Sequence, residues 1–398
     1  MTELNPAIES VELKHEKRKR WLKILTMVFS VIAVLYAIYW LGWGQFYDYT
    51  NDAYVTGNQV QLMPQVAGTV ISINTDNTDL VDQGQLLIQL ERTDNLIALQ
   101  QAEANLAQTV RQVARYYENV AQAQAEVQLR QADLILAERN FQRRKGLVGV
   151  LAISHEEMQT YLTDEQAAQA QYDLAKHQLA AAVALVQNSH LYTHPLVEQA
   201  KAHFKAAYLA YVRTTIYSPV RGITAQRNVQ VGQQVKPGSA LLAVVPLNQM
   251  WVDANYKETQ LKRIRVGQQA SVTADANDYT YHGTVVGLNA GTGSAFSLLP
   301  AQNATGNWIK IVQRLPVRIA LDPKELAKHP LQIGLSTEVT VYTRSTKGSP
   351  LPTIAQQKPV YVTPIYNNQL ANADKIANQI IHTNAPYDLS LPAESHHG

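Results

Sequence analysis

Residues 93–145 run without a proline or glycine, and Leu99, Leu106, Val113, Val120, Val127, Leu134, Phe141 and Val148 recur at every seventh position. A second series, Ala102, Thr109, Tyr116, Ala123, Arg130 and Ala137, interleaves with the first. Strict sevens place one seam on a helix and wind it left-handed around a partner helix. The small residues of the second series let two backbones approach closely, and its polar residues argue against a free-standing dimeric zipper. Gly146 and Gly149 interrupt the pattern. Ser154, with Glu156 and Glu157 after it, then has the chemistry of an N-cap followed by acids in the first turn. Tyr172, Leu179 and Val186 resume the sevens, with Ala168, Ala175 and Ala182 between them, and His194-Pro195 breaks or kinks this helix. A third helical stretch covers residues 195–213. Long helices joined by a short loop become antiparallel neighbours. At about 1.5 Å per residue the first is about 80 Å long. The pattern therefore predicts a helical hairpin over 93–213 with its tip at 146–154.

On either side of the hairpin the apolar period falls to two, and the two flanks resemble each other. The stretch Pro64 to Val70 followed by Val81 to Leu87 looks like Pro219 to Thr224 followed by Val235 to Leu242. The spacing from Gly68 to Gly84 equals that from Gly222 to Gly238, at 16 residues. Each flank reads as short strands with a glycine turn before the last one, where glycine accepts positive φ. Neither flank can stand alone, because two or three strands are too few. The repeat predicts that the two halves pack face to face as one β sandwich, split by the hairpin.

From Met250 to Tyr342 short alternating runs, such as 270–274 and 317–321, are separated by Gly267, Gly283, Gly287 and Gly334, as in a small antiparallel barrel. Residues 349–398 are polar and dotted with proline, with one helical patch near 371–382. This tail is expected to lie on the membrane-proximal part.

Residues 24–41 are an uncharged, mostly apolar run, and the first following charge is Asp48. About 20 such residues cross a hydrocarbon core. Lys14, Lys17, Arg18, Lys19, Arg20 and Lys23 precede the run, which orients the amino end to the cytoplasm. Trp21, Trp40, Trp43 and Tyr47 near its ends suit the interface. A cleaved signal peptide is disfavoured, since the apolar stretch is long and no small-x-small site follows.

The net charge is +2, and six of the 34 Lys/Arg and four of the 32 Asp/Glu fall in the first 23 residues, which leaves the body neutral. That neutrality argues against nucleic acid as a partner. The absence of cysteine excludes disulfide scaffolds, thiol catalysis and cysteine-ligated metals. His190 and His194 have i, i+4 spacing but no third ligand or intervening glutamate motif, and read as surface helix histidines. The glycine-rich run 291–308 is followed by no Gly-Lys-Ser/Thr and is not a phosphate cradle. No catalytic residue, cofactor or metal is expected.

With these features together, the chain resembles the periplasmic adaptor (membrane fusion) proteins of the HlyD family, in the EmrA-type branch. The resemblance rests on 51–55 and Pro64 to Gly68, on 251–261, and on 291–308 as the most branch-specific block, and it extends from the anchor to about Thr343. It implies a mixed α and β, elongated protein. The expected order is a cytoplasmic terminus (1–23), a transmembrane helix (24–44), a lipoyl-like half (45–92), the hairpin (93–213), the second lipoyl-like half (214–247), a β-barrel (248–345) and a carboxy-terminal extension (346–398). It implies a non-enzymatic subunit of a tripartite multidrug efflux pump in the inner membrane of a Gram-negative bacterium, single-pass, with its bulk periplasmic. The partners implied are a major-facilitator proton/drug antiporter, a TolC-like outer-membrane channel, and other copies of the chain in a ring, six in the family. An adaptor for an ABC-type peptide or protein exporter is the alternative. Such adaptors carry Arg-x3-Leu-x6-Ser at the tip that meets the channel, and Arg143, Leu147 and Ser154 match that spacing. Gly68, Gly84, Gly222 and Gly238 correspond to the glycines of the lipoyl-like turns.

Overall fold

The computed structural model describes residues 6–42, 44–145, 154–277, 279–293, 295–296, 312–351 and 355–386. The chain forms two compact units. One holds the amino-terminal helix and the barrel, and the other holds the hairpin, most of the sandwich and the tail.

In the first unit, α1 (Pro6–Gly42) includes a stretch long and apolar enough to cross a membrane, and every side chain from Arg18 to Trp40 is exposed. One 3-10 turn, Gly44–Phe46, leads into β1 (Tyr47–Gly57). The remaining barrel strands are β10 (Met250–Lys257), β11 (Gln269–Ala274), β12 (Thr280–Leu288), β13 (Arg314–Leu321) and β14 (Ser336–Tyr342), closed in the order β1-β10-β13-β12-β11-β14. Inward positions alternate along each strand, as in Val252, Ala254 and Tyr256 on β10. Tyr256 donates its buried hydroxyl to the Val339 carbonyl at 3.2 Å, so the polar end of the ring is satisfied. A short helix, α5 (Pro323–Lys328), adds Leu326 to the same core.

Residues 47–57 correct an expectation. The expected order places them in the lipoyl-like half, but they pair with β10 on one side and β14 on the other. Without β1, the strands from 250 to 342 would form an open sheet with two bare edges. β1 fills the gap and removes both edges, burying Ala53 and Val55 inside.

The sandwich contains β2 (Val60–Leu62), β3 (Gly68–Ile73), β4 (Leu80–Val81) and β5 (Leu86–Leu90) before the hairpin. After it come β6 (Thr215–Tyr217), β7 (Gly222–Ala225), β8 (Gln234–Val235) and β9 (Leu242–Val245). The two sheets run β2-β9-β7-β4 and β6-β5-β3-β8. The halves therefore interleave rather than face each other, two strands from each half in each sheet. Exchanging every strand with the one four places along converts one sheet order into the other, so the sequence repeat is a pseudo-twofold of the fold. Interleaving gives each short strand a partner from the other half, which a face-to-face arrangement of two fragments would not.

The hairpin is α2 (Thr93–Lys145), α3 (His155–Ala184) and α4 (Pro195–Val212). All described seam positions from Leu99 to Phe141, in both series, are buried or half-buried. On α3 the inward line includes Tyr172, Ala175 and Leu179. The second helix ends at Ala184, earlier than its heptads suggest, and Asn188 takes positive φ in the connection. His194 is not a surface residue. It is buried, its Nδ1 accepts from the Leu196 amide at 3.3 Å as the N-cap of α4, and its Nε2 lies 3.1 Å from the Leu185 carbonyl.

In the tail, residues Gln369–Asn384 form α6, which packs on α2 and α4. Ala377, Ile380 and Ile381 join Leu106, Val110, Val113, Ala114, Val197 and Phe204 in one core. At the edge, Asp374 pairs with Lys205 and lies 3.9 Å from Lys201, and Arg111 donates to Asn384 Oδ1 at 2.7 Å. The expected outcome of Ala377→Asp is detachment of α6, because an unpaired carboxylate among these side chains costs several kcal/mol. Hydrogen exchange should then accelerate across 369–384 and around 106–114 while the barrel strands stay protected. Unchanged exchange in α6 would contradict its burial.

Candidate functional site

Both ends of the hairpin grow from neighbouring strands. β5 leads into α2, α4 leads into β6, and β5 pairs antiparallel with β6 (Gln89 opposite Thr215). The Leu90 amide donates to the Thr214 carbonyl at 2.8 Å. Gln89 Nε2 donates to the same carbonyl at 3.2 Å, and Thr215 Oγ1 donates to Gln89 Oε1 at 3.1 Å. Glu91 Oε1 accepts from the Thr93 amide at 2.6 Å, closing the first turn of α2, and hydrogen bonding from Thr93 lowers the Glu91 carboxyl pKa. This hydrogen-bonded root was not anticipated from the sequence. Its members are ordinary polar residues whose pairing depends on strands 125 residues apart.

The repeat glycines divide by role. Gly84 and Gly238 lie at φ +82° and +87°, in the turns before β5 and β9. Gly68 and Gly222 begin strands and are not at positive φ. Glycine is required at 222 by close approach, since a Cβ there would fall 2.3 Å from the Val245 carbonyl oxygen. A second link within the sandwich joins the two halves. Arg227 Nε meets Asp76 Oδ1 at 2.9 Å, and the Arg227 amide donates to Asn77 Oδ1 at 2.9 Å. The arginine's hydrogen bond holds the exposed Asp76 carboxyl below its usual range.

At the far end of the hairpin, Arg143, Arg144 and Lys145 fill the last turn of α2, and Glu156 and Glu157 the first turn of α3. Cations at a helix carboxy end and anions at an amino end both oppose the helix dipole. Arg143 is exposed, and its guanidinium donates to Asn140 Oδ1 one turn back. Ser154 is the N-cap of α3, its Oγ accepting from the Glu157 amide at 3.1 Å. Leu147, Val148 and the glycines 146 and 149 lie outside the described residues. Arg143 and Ser154 thus lie on either side of residues 146–153.

The sequence reading overlooked Arg144. Its guanidinium lies over the Tyr161 ring, 4.1 Å from the centroid, and joins α2 to α3 beside the tip. The signal was available, because Arg144 is the next member of the series that ends at Ala137. Further down the seam, Arg130 holds Glu126 at 2.8 Å on its own helix and reaches Gln171 Oε1 on α3 at 3.3 Å. Among the described residues, no group of three or more His, Cys, Asp or Glu could hold a metal ion.

An interleaved β sandwich that roots a long helical hairpin, in a chain that also closes a six-stranded barrel behind an apolar helix, has the architecture of a membrane fusion adaptor. Residues 93–214 match the EMRA alpha-helical hairpin domain, and residues 249–344 match the AAEA-like beta-barrel domain. The chain is 45% identical over 374 residues to the multidrug export protein EmrA of Escherichia coli strain K12, covering 94% of this chain and 96% of that one. It is 40% identical over 383 residues to the EmrA of Haemophilus influenzae, covering 96% and 98%. It is 41% identical over 373 residues to the fatty acid resistance protein FarA of Neisseria gonorrhoeae, covering 93% and 94%. The chain belongs to the EmrA-type branch of the HlyD family of membrane fusion proteins.

Ser154→Ala removes the cap of α3, which is worth about 1 kcal/mol. Amide exchange at 155–158 should quicken several-fold while the middle of α3 is unchanged. Equal exchange in the two proteins would remove Ser154 from the capping role.

Proposed function

We propose that this chain is the periplasmic adaptor of a tripartite multidrug efflux pump, anchored in the inner membrane by α1 with its bulk periplasmic. In this reading it performs no catalysis and binds no cofactor. It joins a major-facilitator proton/drug antiporter to a TolC-like outer-membrane channel, and copies of the chain close a ring, six in number, around the conduit. A ring is required because one hairpin encloses no lumen, and head-to-tail contacts of one surface with a different one close a cycle. The observation that carries the reading is the rooted hairpin in a chain 45% identical to a multidrug export protein over 374 residues. A 53-residue helix costs much conformational entropy to order, and what its length of about 80 Å gives in return is reach.

Arg143, Leu147 and Ser154 are the proposed contacts with the channel. Arg143 is exposed at the end of α2, where a forked donor can meet carbonyls at the end of a partner helix. Leu147 would fill an apolar notch. Ser154 would hold the start of α3 in place beneath it.

The test is co-purification from membranes of the full-length chain. Arg143→Glu should cut recovery of the outer-membrane channel by about tenfold or more, the equivalent of one charge-assisted hydrogen bond. The inner-membrane transporter should remain bound, and resistance to lipophilic drugs should fall. Unchanged channel recovery would remove Arg143 from the docking surface.

A further inference from the structure

We propose that the barrel rim nearest α1 docks onto anionic phospholipid headgroups of the bilayer that α1 enters. This rests on the reading of α1 as a membrane span. The rim is defined by strand register. β1 begins there, opposite the end of β14 (Tyr47 with Tyr342), and β11 begins there, with Ala270 opposite Val341. The β10–β11 connection and the segment after β14 meet on it. The Val266 amide donates to the Ser349 carbonyl at 3.1 Å, and Gln268 Nε2 to the Ser345 carbonyl at 2.8 Å.

These two segments are rich in cations. Residues 257–269 and 342–349 together carry Lys257, Lys262, Arg263, Arg265, Arg344 and Lys347 against a single acid, Glu258. All six cations except Arg265 are exposed, and Arg265 is half-buried. The opposite rim mixes signs, with Asp275, Asp322 and Glu325 beside Lys324 and Lys328. In a chain whose body is neutral, six cations gathered on one rim need a counter-charge. Asp48, the nearest carboxylate on β1, is half-buried beside Arg263; burial raises its pKa while Arg263 lowers it, and one carboxylate balances at most one of the six.

The rim is also fastened to the exit of α1. Arg263 donates from its guanidinium to the Gln45 carbonyl, and the Thr343 amide donates to the Phe46 carbonyl at 2.8 Å. The apolar stretch ends at Phe46, so the next residue, Tyr47, begins the rim. Tyr47, Tyr49 and Tyr342 point outward there with 47%, 49% and 41% of their surface exposed. Tyr47 and Tyr342 meet edge to face at 5.4 Å. Outward tyrosines beside clustered lysine and arginine, one residue from the end of a span, match the chemistry of the headgroup layer.

The experiment places the full-length chain in nanodiscs of phosphatidylethanolamine alone, or with about a third phosphatidylglycerol, and follows amide exchange at 258–268 and 343–349. Exchange should be several-fold slower in the anionic discs, and the difference should vanish at about 1 M salt, where screening acts within about 3 Å. Lys262→Glu combined with Lys347→Glu should give equal exchange in both discs, with the barrel strands as protected as before. Equal exchange of the unmodified chain in both discs overturns the proposal. So does protection that appears only when an inner-membrane transporter is added, because the rim would then belong to a protein partner. A chain that fails to enter the discs refutes the span itself, and with it the rim. A chain that enters but ignores lipid charge refutes the rim alone.

Discussion

The pairing of β5 with β6 is the constraint on which the hairpin depends. Everything from Thr93 to Thr214 leaves and returns through two adjacent strands, about 5 Å apart. Two helices rooted that closely must pack side by side, and small or slender seam residues such as Ala102, Ala123 and Ala137 permit it. The root also resists the leverage of a helix about 80 Å long, because backbone and side-chain hydrogen bonds converge on Thr214. Rigidity is therefore assembled from the sheet outward. Strand pairing fixes the base, the heptad seam keeps the helices in register, and the Arg144–Tyr161 stack and the Ser154 cap secure the last turns before the tip.

The barrel solves a different problem. Its closure needs a strand from the amino-terminal side of the sandwich, so the chain crosses from anchor to barrel before it enters the sandwich. The residues that close the barrel are the same residues that leave α1. Any force on the anchor is thus delivered to a closed sheet without free edges, where no hydrogen-bond row is left to peel.

Local patterns were the legible ones. The sevens of α2 and α3 are visible because each helical contact repeats within two turns, and the 16-residue spacing is visible because both halves keep one glycine at a strand start and one in a turn. What escaped depends on partners far away in sequence. Residues 47–57 look like any alternating strand, and only their pairing with 250–257 and 336–342 assigns them to the barrel. The interleaving of the halves is a matter of which half supplies each neighbour, and alternation within a strand carries no such information. The seat of α6 did leave a trace. Val110 and Ala114 widen the apolar stripe of α2 beyond the two seam series at the point where a third helix packs. His194 was misread because its i, i+4 partner suggested a helix surface, whereas the following proline makes it a cap. Of the tip, Arg143 and Ser154 could be located from spacing and capping chemistry, while Leu147 lies outside the described residues.

The interleaved sandwich can be tested directly because the chain has no cysteine of its own. Thr69 and Gln234 are opposite each other in the β3–β8 pair, one from each half. Cysteines introduced at both positions stand within disulfide range for directly opposed antiparallel residues. Oxidation of the full-length protein in membranes should give a fast-migrating intramolecular species on non-reducing gels, with α2 and α3 exchange unchanged. Failure to cross-link, or cross-linking only between chains, would mean that the two halves do not share a sheet and that the hairpin is not rooted as described.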